Sequence, residues 1–388
     1  MRKSTLNLVK MMNRELVVKE LQKNPNQSRA DLAKKTKLSK PTISEIVREL
    51  IDENIVLETG YGPSTGGKKP ISLVYNANFR YVIGILIEND TIFFALGDMN
   101  GEIIKIFHEK FKPLTQAEVI LQLIVDGVGR LIKVEKIPME KILGVVLGVS
   151  GITMDDNEIV QSSPTINWGT MNIKKELSRR LDKEVVIEND VNLMTIGEHY
   201  KGQAKNIKDF VYFFIGNGIG SGLFLDGSFY KGYHSASGEV GFMMIGEEDI
   251  IENDLGVFET NYGLFGISQR LSEKNHFNKI EDGSSLLLFL QKQRDNPKIK
   301  KILDEVIDNW AKATINMVSI IDPQAIILAG ELEQMDQSSF KQYVKRIEKF
   351  VPKMPEIRVT KLGSKAGIYG AFHLGLEHFH MKGFKHVD

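Results

Sequence analysis

The chain has 388 residues, 42% hydrophobic and 26% charged, with no cysteine and a formal net charge of zero. That length exceeds what one hydrophobic core fills, so two or three domains are expected, and the composition excludes a disordered or fibrous chain. The absence of cysteine excludes disulfides, thiolate nucleophiles and cysteine metal sites.

No apolar run approaches the roughly 20 residues that span a bilayer, and the opening "MRKSTLNLVKMMNREL" lacks the apolar core of a signal peptide. A cytoplasmic location without a membrane partner is therefore expected. The zero net charge hides an asymmetry, because residues 1–75 hold fourteen Lys/Arg against eight Asp/Glu and so leave an acidic remainder. A basic end on an acidic body implies different partners for the two parts.

The first helix ends at Lys23, where Asn24-Pro25-Asn26 breaks it. Ser28 then heads a Ser-x-x-Asp start with Asp31 in the first turn, opening a second helix that runs to about Thr36. After a tight turn at Lys37-Leu38, Ser39 caps a third helix with Pro41 in its first turn. Ile43, Ile46, Val47 and Leu50 give that helix one apolar face. Two short helices on a tight turn form a helix-turn-helix, whose second helix enters the major groove of double-stranded DNA. Ser39, Lys40, Pro41 and Thr42 are then the residues nearest base edges, with Ser44, Glu45 and Arg48 next along the outward face. "NIVLETG" and "KKPISLVYN" alternate as two strands of a wing. The glycine-rich, basic linker near residues 60–70 ends in Lys68 and Lys69, suited to phosphates or a minor groove. Residues 1–75 thus read as a winged helix-turn-helix that binds DNA, the alternative being a small helical domain for protein contacts.

From Tyr81 the pattern changes. "YVIGILIENDTIFFALGDMNGEII" reads as a three-strand meander, helical spacing follows across Gln116 to Lys136, and "ILGVVLGVSG" reads as a strand buried on both faces. A further strand, "EVVIEND", delivers Glu188-Asn189-Asp190 at its carboxyl end, where open α/β sheets bind ligands. "VYFFIGNGIGSGLFLDGSFYKG" is a hairpin whose alternating glycines admit close backbone approach, either to a ligand or simply for turn geometry. "AIILAGEL" and "GIYGAFHLGL" return to strand, turn and helix. Two α/β lobes around a cleft follow, over residues 76–190 and 191–370, with a final helix at about 371–388 packing back on the first lobe.

In order, "SRADLAKKTKLSKPTISEIVREL", "STGGKKP", "GVSG", "IENDVN", "GNGIGSGLFLDGSFYKG", "SGEVG", "DPQAIILAGEL" and "GSKAGIYGA" resemble the ROK family of repressors, open reading frames and sugar kinases. Within it they resemble the xylose-repressor-like transcription factors. The resemblance implies a winged helix followed by a two-lobed, actin-like (RNase H-like) sugar-kinase fold. It also implies a sugar site. Asn189 and Asp190 match the pair that contacts sugar hydroxyls, Asp190 standing at the position of the kinase general base. Glu239 matches a sugar-binding glutamate, and Glu259 falls where the family has another. Gly148, Ser150, Gly151 and Asn167 match the loops that close over the sugar. Charge-assisted bonds to adjacent hydroxyls suit such a site, since removing one hydroxyl strands a buried acceptor.

Two departures from the family bear on catalysis and cofactors. Its kinases hold nucleotide phosphates with Asp-x-Gly-Gly-Thr, whereas this chain reads "GILIENDT", with Leu86 at the aspartate and Glu88-Asn89 at the glycines. Crowding and an added anion there oppose ATP use, because phosphoryl transfer depends on positioning and charge neutralisation. Many members also hold a structural zinc through a histidine and clustered cysteines. Here Phe242 replaces the histidine and "IIENDLGV" replaces the cysteine stretch, so no zinc is expected. His234 stands alone and reads as a packing or hydrogen-bonding residue. The expected protein is a non-enzymatic, sugar-responsive regulator. It would bind a palindromic operator as a homodimer or dimer of dimers, with a monosaccharide such as xylose or glucose as effector. The alternative is a sugar kinase carrying a DNA-binding module.

Overall fold

The computed structural model describes residues 2–61, 70–154, 159–161, 166–247, 255–273 and 285–383. Three helices come first: α1 (Arg2–Lys23), α2 (Arg29–Thr36) and α3 (Lys40–Asp52). Ser28 Oγ accepts the Asp31 amide at 3.2 Å while Asp31 accepts the Ser28 amide at 3.0 Å, a reciprocal cap that starts α2. Lys37 ends α2 in a left-handed conformation with φ 61°, which makes the turn, and Ser39 Oγ accepts the Thr42 amide at 3.3 Å to start α3. Strands β1 (Val56–Tyr61) and β2 (Ile71–Tyr75) pair antiparallel, Val56 opposite Tyr75. Val17, Leu21, Leu32, Ile43, Val47, Leu50 and Leu73 form the core of this unit. Arg14, buried, clamps α1 to α3 by pairing with Glu49 at 3.0 Å and Glu53 at 2.5 Å.

The first lobe holds β3 (Tyr81–Glu88), β4 (Thr91–Asp98), β5 (Ile103–Lys110), the short β6 (Thr115–Gln116), α4 (Ala117–Glu135) and β7 (Ile142–Val149). It continues through the short strands β8 (Ile152–Met154), β9 (Ile159–Gln161) and β10 (Ile166–Asn167), then α5 (Ile173–Leu181), β11 (Val185–Asn189) and α6 (Asp190–Lys201). The second lobe follows with β12 (Phe210–Ile215), β13 (Ile219–Leu225), β14 (Ser228–Tyr230), α7 (Val257–Tyr262), α8 (Leu264–Glu273), α9 (Leu286–Lys292) and α10 (Pro297–Ile321). The chain then adds β15 (Ala325–Gly330), α11 (Gln337–Glu348), β16 (Glu356–Val359) and α12 (Lys365–Gly383).

Two five-stranded sheets result, ordered β11-β7-β3-β4-β5 and β14-β13-β12-β15-β16. Each has an antiparallel meander continued by parallel strands, and each is covered on its outer face, the first by α4 and α5 and the second by α7 to α11. Between the sheets lies a third core, in which Leu86 and Val146 of the first meet Tyr212 and Ile327 of the second around Leu193 of α6 and Phe372 of α12. A β-carbon at Gly370 would fall 1.8 Å from the Leu193 carbonyl oxygen, so α6 and α12 touch backbone to backbone. "GIYGAFHLGL" is thus wholly helical, within α12. Phe79, Met99, Leu143 and Leu376 carry the winged-helix core into the first lobe. Among the described residues no helix is long and apolar enough to cross a membrane.

Candidate functional site

The exposed face of α3 presents one candidate surface. Ser39, Lys40, Pro41, Ser44, Glu45 and Arg48 are exposed, while Thr42 is half-buried and its hydroxyl lies 2.8 Å from Ser39 Oγ. The burial of Ile43, Ile46, Val47 and Leu50 fixes which side faces out. Lys68 and Lys69 lie outside the described residues.

The second candidate is a cleft between the lobes with about 930 Å³ of empty space, open mouth included. Ser150 and Gly151 reach it from the end of β7, Asn189 and Asp190 from the junction of β11 and α6, and Glu239 and Glu259 from the second lobe. Strand geometry explains the first-lobe group. β11 and β7 run parallel with Asn189 opposite Val149, so both strand ends open at one edge. Asn189 caps α6 by accepting the Asn192 amide at 3.1 Å and donates from Nδ2 to the Gly151 carbonyl at 3.1 Å. Asp190 is only 7% exposed, accepting Ser150 Oγ at 2.6 Å and the Val191 amide at 2.9 Å.

Burial pushes the Asp190 carboxyl up to about 7, against its two hydrogen bonds and with help from the charge of Glu88. Glu259 also rises to about 7 by burial, offset by the Ile219 amide it accepts at 2.6 Å and reinforced by Glu239, which burial raises too. No Lys, Arg or His lines the cleft among the described residues. Such a lining accepts hydrogen bonds from neutral hydroxyls and repels anions.

Not every expected residue arrives. Gly148 lies buried inside β7, where a β-carbon would meet Leu86 and Leu193 at 2.7 Å, so its smallness serves packing and it does not line the cleft. Asn167 is exposed on β10, paired with Gln116, and does not line it either. The glycine hairpin divides its roles. Gly218 and Gly220 line the cleft, but a β-carbon at Gly222 would fall 1.8 Å from Thr195 Oγ1, so that glycine admits α6. Phe242 lines the cleft half-exposed. Sequence reasoning missed Asn89 and Asn217 as cleft residues, joined across the lobes at 2.8 Å, and Phe214. In the sequence Asn89 reads only against the kinase phosphate motif, and a turn-like Asn217 and a strand phenylalanine give no signal of a shared site.

A winged helix set on a two-lobed α/β body with an acidic cleft defines a protein that joins a nucleic-acid module to a small-molecule site. Residues 82–378 match the ROK family and residues 13–56 a winged helix-turn-helix DNA-binding domain. The chain belongs to the ROK family. The xylose repressor of Bacillus spizizenii is 29% identical over 391 residues, covering 96% of each chain. Among solved structures, a ROK family transcriptional regulator, homolog of the E. coli MLC protein, superposes with TM-score 0.76 at 19% identity, covering 97% of this chain and 99% of that one. A ROK family glucokinase from Streptomyces griseus, solved with glucose and AMPPNP, gives TM-score 0.60 at 21% identity and covers 76% of this chain and 98% of its own. These two likenesses establish the fold.

Proposed function

We propose that the protein is a sugar-responsive, DNA-binding transcriptional repressor whose effector is a monosaccharide held in the interlobe cleft. The observation that carries this reading is the convergence of Ser150, Asn189, Asp190, Glu239 and Glu259 on one cleft in a chain that opens with a winged helix. Buried carboxylates and amides accept from and donate to ring hydroxyls, and a missing hydroxyl leaves one of them unpaired, which gives epimer selectivity. The relatives named xylose repressor make xylose the first sugar to test, with glucose next. The winged helix, with Arg48 and Lys40 outward, reads the two halves of a palindromic operator as a homodimer or dimer of dimers. Sugar changes operator affinity only through unequal affinity for two lobe arrangements, and the shared core of Met99 and Leu376 ties those arrangements to the winged helix.

The reading is non-enzymatic. Leu86 is fully buried, and Glu88, whose carboxyl burial raises, lines the cleft; the resemblance puts both in the segment with which the family's kinases hold nucleotide phosphates. An acid in that place opposes binding of a triphosphate. No zinc is assigned, and the location is cytoplasmic, where the DNA is.

The test is a thermal-shift screen against a sugar panel, repeated with an operator fragment selected from random DNA. A sugar that binds must raise Tm by mass action, and in the presence of the fragment it should weaken the complex. A panel without any shift removes the effector. Sugar-dependent ATP consumption above that of Asp190→Asn restores the kinase alternative.

A further inference from the structure

We infer that Lys231 is a positioning residue of the cleft: seated on Glu188, it holds the loop that delivers Glu239 against the strand end that delivers Asn189 and Asp190. The inference rests on the sugar reading of the cleft and concerns two residues that do not line it.

Glu188 is 3% exposed, and a carboxylate so placed is tolerable only when its lone pairs are occupied and its charge is matched. Oε1 accepts the Asn189 amide at 3.1 Å and Asn192 Nδ2 at 3.0 Å, both local to the start of α6. Oε2 accepts Lys231 Nζ at 2.6 Å, and Lys231 belongs to the other lobe. Among the described residues this is the one cation paired with Glu188.

The loop carrying Lys231 is built to transmit position. It leaves β14 at Tyr230 and closes on itself, the Ser237 amide donating to the Lys231 carbonyl at 3.2 Å and Ser237 Oγ to the Tyr230 carbonyl. Gly238, with φ +84°, then accepts the Ser221 amide at 2.9 Å and Ser221 Oγ at 3.0 Å, and a β-carbon there would fall 2.0 Å from the Ser221 carbonyl oxygen. Glu239 is the next residue. The loop therefore has two anchors, β13 of its own lobe through Gly238 and β11 of the other lobe through Lys231. Releasing the second anchor frees Glu239 relative to Asn189 and Asp190. It also strands a buried charge whose other partners, Asn189 and Asn192, form the cap of α6. One ion pair thus sets both halves of the hydroxyl-binding set.

The experiment is titration calorimetry of D-xylose and D-glucose into the full-length wild type, Lys231→Ala, Lys231→Arg, Glu188→Gln and the Lys231→Ala/Glu188→Gln double variant, with Tm recorded without sugar. Lys231→Ala is expected to weaken sugar binding roughly tenfold or more, and Lys231→Arg, which keeps the charge, to restore it to within about threefold. The double variant should bind no more weakly than the weaker single variant, the signature of two residues acting as one unit. Glu188→Gln keeps the acceptor for Asn189 and Asn192, so it reports the same loss if Lys231→Ala fails to fold. Binding by Lys231→Ala within about twofold of wild type, or losses that add in the double variant, overturns the inference while leaving the sugar site standing. Absence of heat from both sugars with the wild type, together with a sugar panel that gives no thermal shift, overturns the sugar reading itself, and this inference with it.

Discussion

In the winged helix the shifted carboxyls are pulled down by partners. Lys35 lowers Glu20, Ser28 lowers Asp31, and for Glu49 burial is outweighed by Lys10 and Arg14. In the cleft the direction reverses: Asp190, Glu239, Glu259 and Glu88 rise because burial strips their water and no cation lines the cavity among the described residues. Paired acids are scaffold, and their interactions are complete within the chain. Acids raised together on one concave surface mark a candidate ligand site, which Glu198 and Glu333, also raised by burial but not lining the cleft, do not form.

The largest expected effect breaks the cleft through its supports. Gly370→Ala forces α6 from α12, and with a backbone oxygen 1.8 Å away the variant should lose about 3 kcal/mol or more in urea unfolding and lose sugar binding with it. Full stability in that variant would mean that the two helices are not a rigid seam.

Next comes Asp190. Its folded value of about 7 lies above the ordinary 3.8, so the folded chain holds a proton the unfolded chain has released. The associated stability is fully present below about pH 4, declines as pH rises and is gone above about pH 7. Between pH 5 and 8 this group alone should lower the unfolding free energy of the sugar-free protein by about 2–3 kcal/mol, and Asp190→Asn should flatten that part of the curve while abolishing sugar binding. An unchanged pH profile in the variant would remove Asp190 as the source.

Smaller effects belong to the winged helix, whose contacts are exposed and screened. Arg48→Ala should weaken operator and random DNA alike and reduce the slope of binding against salt by about 1, whereas Thr42→Ala should mainly relax sequence preference, by about 1 kcal/mol, in competition binding. Equal effects of the two on selectivity would misplace α3 in the groove. Ser28→Ala, which removes the α2 cap, should cost about 1 kcal/mol in thermal unfolding and leave the pH profile of the cleft unaltered.

The two regions differ as much in how they could be read. Every feature that builds α2 and α3 sits within a short stretch of chain: Ser28 with Asp31, Ser39 with Pro41, and Ile43, Ile46, Val47 and Leu50 on one buried face. Caps and helical periodicity are local, so the start of α3 at Lys40, after the Ser39 cap, could be anticipated from neighbours alone. The cleft was legible only in part. Strand-end residues Asn189 and Asp190 announced themselves by position after an apolar strand, and family motifs supplied Glu239 and Glu259. Gly148 and Asn167 are expected from the same resemblance yet do not line the cleft: Gly148 packs against Leu86 and Leu193, and Asn167 is exposed on β10. Asn89 and Asn217 meet across the lobes although far apart in sequence, a juxtaposition that no periodicity encodes.

By itself the sequence determined the local elements, the basic amino-terminal end and the absence of cysteine ligands, because each follows from side chains read directly or within a few residues of one another. Tertiary structure alone decided that α6 and α12 fill the space between two sheets, that Gly222 yields to Thr195, and that Glu188 is buried against Lys231 of the opposite lobe. Those outcomes depend on which surfaces exclude water together, and burial is a property of the assembled chain.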